Sequence, residues 1–340
     1  EKYYIPNNAT IVVVGNFDQA KTLELIKKYF NDIPPGKPIE NIKLDKPQKC
    51  LRRAIVRKPG SLPLVKMAYH IPPAAHEDIY PLTVLGEMLN IGLSGRLNQS
   101  LVETEIATDV SINVEASKDP GLFSIGATLF PNTKHKEAED IILNELAALN
   151  DGKPPTIEEL NNTKRRITSS FEFNRDGTYK YAYLLGYYET VSSYKYIDNY
   201  IDNIQKVTID DIKRVTEKYL NSYNCSIGEF YSSHHETAKL VPTYDYKPKE
   251  KIHHHYQTPP IIIDEKITSI PIDFAKKILR NGLTILHTQN STSDTVKLLG
   301  SIKAGNIYSA TVNPVLPVMC AGMLNRGSSG YTKMQIAAEI

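Results

Sequence analysis

Histidine and glutamate side chains that could bind a metal ion are concentrated in two short stretches of the sequence. One contains His234, His235 and Glu236, and the other is the all-histidine run at residues 253–255. Imidazole and carboxylate groups are ordinary zinc ligands, but a zinc site needs three or four of them held in a tetrahedral arrangement. Both stretches lie in a Pro- and Lys-rich segment without hydrophobic periodicity, so solvated linker histidines are favoured over an ordered metal site.

Two further patterns carry residues that could do chemistry. In HIPPAAHE, residues 70–77, we interpret His76 and Glu77 as first-turn residues of a helix rather than metal ligands. NIGLSGRL, residues 90–97, is rich in glycine, but a phosphate site usually adds a lysine and more backbone donors, so a helix-starting turn is favoured. The sequence contains no G-x-S-x-G elbow, no P-loop and no dinucleotide-binding glycine motif.

Composition narrows the class of protein. The 340 residues include 40 basic and 38 acidic side chains, for a formal net charge of +2, so no strong overall field favours nucleic acid or an anionic membrane surface. No apolar run approaches the roughly 20 residues of a membrane-spanning helix. Cys50, Cys225 and Cys320 form neither a disulfide framework nor a C-x-x-C pair. The chain starts without Met and stops in a predicted helix, so we expect a segment of a longer protein whose compartment the sequence does not indicate.

Hydrophobic periodicity predicts a mixture of strands and helices. On both sides of the turn KDPG, in residues 110–116 and 123–129, apolar side chains alternate with polar ones, which predicts a β-hairpin with one face toward a core. Helical spacing follows in residues 138–149, and Thr208 is placed to cap another helix. The pattern predicts an α/β (α+β) fold, a two-layer sandwich with a largely antiparallel sheet and helices on one face.

Shifts in composition divide the chain into four parts. Residues 1–44 contain a β-branched run, ATIVVVGNF, and a helix, which we interpret as the end of an upstream domain. Residues 45–230 are predicted to form a complete α/β domain closed by the strand NCSIGEF. Residues 231–270 are predicted to be an extended, exposed linker, and residues 271–340 to begin a new folding unit.

Three segments resemble, in the expected order, the pitrilysin/insulinase (inverzincin) family of zinc metallopeptidases. YYIPNNATIVVVGNFDQAKTLELIKKYFNDIPPG resembles the junction between the first and second domains of one half of such an enzyme. LGEMLNIGLSGRLNQSLVETEIATDVS is similar to the second-domain segment in which a Gly-Ser turn starts a helix, and KKILRNGLTILHTQNSTSDTVKLLGSIKAGNIY resembles the opening strands of the next half. The resemblance implies repeated metallopeptidase-like domains and zinc in the full-length protein.

The resemblance also locates the residues that an active half would need. Active halves carry H-x-x-E-H on a helix, in which two histidines bind zinc and the glutamate activates water, and a distal Glu completes the ligand set. Here the three positions fall on Val318, Ala321 and Gly322, none of which can bind a metal. We therefore expect no catalytic or metal-binding residue in this chain. Residues 271–340 would begin a degenerate half, and the zinc ligands would lie upstream of Glu1.

One substrate-contacting site is implied by the resemblance. In the insulin-degrading branch of the family, the backbone before this second-domain helix captures the N-terminal end of a peptide as an added strand. That role carries over to Gly92, Ser94 and Gly95, where glycines would leave backbone groups open for strand addition. The tyrosine-rich residues 178–190 could also face a peptide, although their apolar spacing favours core packing.

Two functions are compatible with the resemblance. In the first, the chain is the middle of a zinc endopeptidase acting on peptides or unfolded proteins in an enclosed chamber. It would supply chamber wall and substrate contacts, with an upstream catalytic domain and a downstream fourth domain as its partners. In the second, the whole protein is a non-catalytic scaffold or peptide-holding partner of a separate active subunit. Because the fold is the same in both, an H-x-x-E-H motif upstream of Glu1 is what would favour the first.

Overall fold

The computed structural model describes residues 2–40, 44, 46–90, 92–233, 274–289, 296–302, 315–324 and 326–339. These residues fall into two compact units. One combines residues 1–234 with 299–340, and the other covers residues 235–298. The larger unit contains the main sheet and its helices, whereas the smaller one contains a β-hairpin.

The main sheet has five strands in the order β1-β5-β2-β4-β3. The strands are β1 (Arg52–Pro59), β2 (Leu64–Ile71), β3 (Ala107–Val114), β4 (Gly121–Leu129) and β5 (Cys225–Ser233). β1 pairs in parallel with β5, and the other three pairings are antiparallel. The predicted mixed fold with a largely antiparallel sheet is therefore confirmed. The smaller unit contains β6 (Ala275–Ile278) and β7 (Thr284–His287), which pair as an antiparallel hairpin.

Nine α-helices lie within the described residues. They are α1 (Gln19–Phe30), α2 (Ile79–Asn90), α3 (His135–Ala148), α4 (Ile157–Arg175), α5 (Thr178–Val191), α6 (Tyr196–Lys206), α7 (Ile209–Tyr219), α8 (Leu316–Met323) and α9 (Lys333–Glu339). Local signals define several starts: Thr156 and Thr208 form capping boxes with Glu159 and Asp211, as the T-x-x-E and T-x-x-D spacings require. None of the helices in these ranges combines the length and the apolar character that crossing a bilayer requires.

The core lies on one face of the main sheet. Val65, Met67 and Tyr69 of β2 are fully buried at alternate positions, and Met67 is paired with Ile125 of β4 and Ile227 of β5. α2, α3 and α7 pack against this face, and their apolar residues join the same buried cluster. The alternation read from the sequence thus selects the buried face, because residues two apart on a strand point the same way.

A buried carboxylate just before α2 ties the start of that helix to α7. Asp78 is 1% exposed and accepts hydrogen bonds from Arg214 Nη1 (2.5 Å), Lys218 Nζ (2.8 Å) and Tyr219 Oη (2.7 Å). Burial by itself would raise the pKa of Asp78, but the hydrogen bonds from Lys218, Tyr219 and Arg214 outweigh it and hold the pKa well below its ordinary value. The ionised form therefore stabilises the helix pair at neutral pH.

Several predicted boundaries differ from the structure. The run at residues 9–14 was predicted to be a strand, but it forms none. A β-strand needs a hydrogen-bonded neighbour, and none of the described residues supplies one. Val12 of this run lies against Gly186 of α5 instead. The helix that the turn at residues 90–97 was predicted to start is short, and its regular part is a π-helical segment, Asn98–Val102. β5 continues to Ser233, so it extends three residues into the range predicted as a linker. The rest of that range, like both histidine clusters, lies outside the described residues.

Candidate functional site

The turn after α2 contains the three residues that the resemblance assigns to substrate contacts. A 3-10 turn covers Gly92–Ser94 and leads into the π-helical segment Asn98–Val102. Gly92 has a φ of +36°, in the left-handed region that favours glycine, and nothing lies within 4 Å of where its Cβ would be. Its backbone is exposed, so an approaching chain could reach it. π-helical segments inside helical turns are frequent at functional sites.

Ser94 and Gly95 are more enclosed than Gly92. The Ser94 carbonyl accepts a hydrogen bond from Gln99 Nε2 (2.9 Å), and the Gly95 carbonyl accepts one from the Gln99 backbone N–H (2.9 Å). Gly95 is buried and Ser94 is half-buried. Of the three residues, Gly92 therefore has the most open backbone, while Gly95 starts the helix.

Arg96 fixes this turn to the start of α4. Its side chain is 7% exposed, and it donates from Nε and Nη2 to the two oxygens of Glu159 at 2.7 and 2.8 Å. It also donates to the carbonyls of Lys153 (2.7 Å) and Pro154 (3.3 Å). A planar guanidinium meets a carboxylate in this two-bond geometry better than an ammonium does, so lysine would not replace it. Because Glu159 also closes the Thr156 capping box, the turn and the helix start are held as one unit.

A groove of about 840 Å³ lies between this turn and α4. Ser94, Arg96 and Gln99 line it on the side of the turn, residues of α4 from Glu158 to Asn174 line it on the other side, and Ala337 of α9 also lines it. Both charge signs line it; the charged lining side chains are Glu87, Arg96, Lys153, Glu158, Glu159, Arg165 and Arg166. A mixed lining of this kind offers donors and acceptors to a polar chain rather than a field that selects anions or cations.

The same segment leads directly into an edge of the sheet. After the π-helical segment, Glu105 adopts a φ of +60° and the Ile106 backbone N–H donates to the Leu101 carbonyl (2.9 Å). β3 follows, and among the strands that the structure describes it pairs only with β4. An edge strand presents backbone N–H and C=O groups that can pair with an added strand. The open turn at Gly92 and an unpaired strand edge therefore adjoin the same short segment.

The positions of the missing zinc motif lie on a formed helix. Val318, Ala321 and Gly322 are all on α8, and all three are exposed. They provide an isopropyl group, a methyl group and a hydrogen atom, so these residues do not fit a zinc ion. The described ranges also contain no group of three His, Cys, Asp or Glu side chains that could hold a metal. α8 buries none of its residues against the other described parts of the chain.

The tyrosine-rich helix α5 presents two different sides. Tyr188 stacks on Tyr196 with ring centroids 4.8 Å apart, and burial raises its pKa to about 12. Tyr179 and Tyr183, by contrast, are 82% and 67% exposed. No residue of α5 is fully buried, so the helix packs at the margin of the core rather than within it.

Comparison with known proteins places this architecture in a family. Residues 1–167 match the family model described as the Peptidase M16 inactive domain. Over these residues the chain is similar to M16 peptidase inactive domains. M16 is the family of pitrilysin and insulinase, so the resemblance identified from the sequence is confirmed. The chain is also 28% identical over 222 residues to the zinc protease PqqE of Helicobacter pylori, a match that covers 64% of this chain and 50% of that protein.

Solved M16 structures share the fold. A protease from Helicobacter pylori matches with a TM-score of 0.64 and 26% identity, over 68% of this chain and 57% of that one. A peptidase M16 inactive domain from Pseudomonas fluorescens matches with a TM-score of 0.56 and 17% identity, over 65% of this chain and 52% of that one. The chain spans about half the length of the Helicobacter pylori zinc protease PqqE, the curated relative that it matches.

Sequence reasoning identified the turn but missed the residues that support it. Arg96 and Glu159 are 63 residues apart, so no local pattern pairs them. The T-x-x-E spacing of Thr156 and Glu159 is the one local signal that could have placed Glu159 at a helix start. The edge position of β3 could not be predicted from local sequence either, because strand order depends on pairings between residues far apart in the chain.

Proposed function

We propose that this chain is a non-catalytic segment of a zinc-dependent endopeptidase and that it supplies part of the surface that binds the peptide substrate. The observation that carries the proposal is the open backbone of Gly92 beside a groove of about 840 Å³ and close in sequence to the edge strand β3. Peptide recognition by strand addition needs unpaired backbone groups for affinity and a neighbouring groove for side chains.

The proposed peptide contacts involve Gly92, Ser94 and Gly95 in different ways. Gly92 offers backbone groups, and its lack of a side chain permits close approach. Ser94 lies in the groove wall, whereas Gly95 has its carbonyl engaged by Gln99 and acts by shaping the turn. Arg96 holds this arrangement rigid through α4, which lowers the entropic cost of binding.

Zinc and the catalytic groups are proposed to come from a domain upstream of this chain. Residues 1–44 would complete that domain, and the exposed apolar side chains of α1, such as Leu23, Leu25 and Phe30, support a packing partner for this helix outside the described residues. Residues 45–230 would form the second domain, and residues 271–340 would begin the inactive half. The lack of ligand atoms at Val318, Ala321 and Gly322 supports that last assignment.

Peptide binding can be tested on the chain as it stands. A labelled unstructured peptide with a free N-terminus should bind in a fluorescence anisotropy titration, and Gly92→Val should weaken binding about tenfold, equivalent to losing one or two net hydrogen bonds. Gly282→Val is the matched control, because Gly282 also has a positive φ and open space around it but lies in the β6–β7 hairpin. Equal affinities for Gly92→Val and the unaltered chain would refute the peptide site.

A second experiment separates the peptidase from the scaffold. The purified chain should contain no stoichiometric zinc and should not cleave a quenched peptide, and the triple variant V318H/A321E/G322H should also lack chelator-sensitive activity, because the supporting ligand groups are not restored. Activity that appears when the upstream domain is present would support the peptidase. Zinc-dependent cleavage by this chain alone would contradict it, and no cleavage by the full-length protein would favour the scaffold.

A further inference from the structure

The turn that contains Gly92 is already in contact with another part of the chain. α9, near the C-terminal end of the described residues, packs against Gly92–Ser94. Lys333, the first residue of α9, donates from Nζ to both carboxylate oxygens of Glu103, just after the π-helical segment. Ala337, one turn further along α9, lines the same groove as Ser94. The contact therefore lies on the surface proposed to bind the peptide.

The contacting helix is defined by its own local sequence. Gln335 Oε1 accepts from the Thr332 backbone N–H (2.9 Å), and the Gln335 backbone N–H donates to Thr332 Oγ1 (3.3 Å), which completes a capping box. The preceding residues form a tight turn in which the Ser328 N–H donates to the Tyr331 carbonyl (2.8 Å). With only seven residues, however, α9 is too short to persist without packing. Docking on the turn supplies that packing for Ile336 and Ala337, which are half-buried.

The ion pair between Lys333 and Glu103 is partly shielded from water. The side chains are 18% and 31% exposed, whereas Lys136 of α3 and Arg214 of α7, the cations of two other ion pairs within helices, are 66% and 46% exposed. Partial burial weakens screening, so this pair contributes more to docking than a surface pair does. The pairing also fixes which end of α9 meets the turn, because Lys333 stands at the helix start.

From these contacts we infer that Gly92–Ser94 and Glu103 form a docking surface for α9, and that the docked helix and a bound peptide exclude one another. The competition rests on the proposed function of the turn, whereas the docking rests on the observed contacts alone. An added peptide strand at Gly92 would extend along the groove, and α9 lies beside this turn with Ala337 in the groove lining, so the two would compete for the same space. Release of α9 would then open the peptide surface, so the inactive half would control access to it.

Docking can be measured without any peptide. Cysteines at Asn162 and Ala337, both of which line the groove, should be joined by a short bismaleimide linker that contains a reducible disulfide. Cys50 and Cys320, which are exposed, are first replaced by serine, and buried Cys225 is kept. Lys333→Glu and Glu103→Lys should each lower the cross-linking yield, and the double exchange should restore it, because the charges attract again in the reversed order.

Lys195→Glu is the matched control for the charge change. Lys195 is exposed, and like Lys333 it stands at the start of a helix, so the substitution has the same effect on net charge and helix dipole. It should leave the cross-linking yield unchanged. Yields that are equal for Lys333→Glu and Lys195→Glu, or that the double exchange does not restore, would overturn the docking surface.

Competition is then measured with the labelled unstructured peptide. The cross-linked chain should bind it at least about tenfold more weakly than the same chain after reduction, and Lys333→Glu should bind it about threefold more tightly than the unaltered chain. Equal binding before and after reduction would overturn the competition. If the peptide binds neither the reduced chain nor Lys333→Glu, the proposed peptide site is refuted. The docking of α9 is tested separately, by the cross-linking yields of the charge-exchange variants.

Discussion

Replacing Arg96 by methionine should both destabilise the chain and weaken peptide binding. Methionine keeps most of the apolar stem but removes the guanidinium, which donates two charge-assisted hydrogen bonds to Glu159 and one each to the carbonyls of Lys153 and Pro154. Glu159 is left with its capping role at a site where its side chain is only 26% exposed. Removing one partner from a largely buried pair costs about 3–5 kcal/mol, and the partial exposure of Glu159 lowers our expectation to about 2–4 kcal/mol.

Arg166→Met is the control for this experiment. Arg166 lines the same groove, but its side chain is 43% exposed and lies 3.7 Å from a Glu87 carboxylate that is 39% exposed. Exposed pairs of this kind are worth under about 1 kcal/mol. Both variants make the same chemical change, so their difference isolates the anchoring geometry. Urea unfolding followed by circular dichroism gives the stability, and anisotropy with the labelled peptide gives the affinity.

If Arg96 anchors the turn to α4, Arg96→Met must lower the free energy of unfolding more than Arg166→Met does. A loss of stability for Arg96→Met that is no larger than the loss for Arg166→Met would refute it. If Arg96→Met loses as much stability as expected but binds the peptide with unaltered affinity, Arg96 does anchor the turn to α4. The result would then refute only the idea that this anchoring supports peptide binding.

Two further predictions concern stability. Asp78→Asn should cost about 2 kcal/mol at neutral pH, and because the folded-state pKa of Asp78 is depressed, this contribution is complete above its unfolded pKa near 4 and is lost as the pH falls below it. Urea unfolding at several pH values checks this, and a difference that does not shrink at acid pH would contradict it. Gly86→Ala should destabilise by about 1–2 kcal/mol although alanine favours helices, since its Cβ would lie 2.7 Å from Val114 Cγ2. Gly186→Ala in α5 meets no contact below 3.7 Å and should instead stabilise by up to about 1 kcal/mol; the same sign for both glycines in thermal unfolding would disprove the packing argument.

Among the strands and helices, those with strong local patterns were predictable. The β3–β4 hairpin formed where apolar and polar residues alternate, and α4 and α7 began at the threonines whose hydroxyls cap them. Both signals act within a few residues, so neighbouring side chains are enough to specify them. The run at residues 9–14 shows the limit of this reasoning, because its composition favours a strand but no partner strand is present among the described residues.

The sequence by itself determined that no zinc motif stands at Val318, Ala321 and Gly322, because side-chain chemistry needs no fold to be read. It also determined the turn at Gly92, since glycine at a helix end permits a positive φ. Only the tertiary structure decided that β1 pairs in parallel with β5, that Arg96 reaches Glu159 and that Lys333 of α9 reaches Glu103. These pairs are 63 to 230 residues apart along the chain, so their contacts depend on how the whole core packs and not on any local pattern.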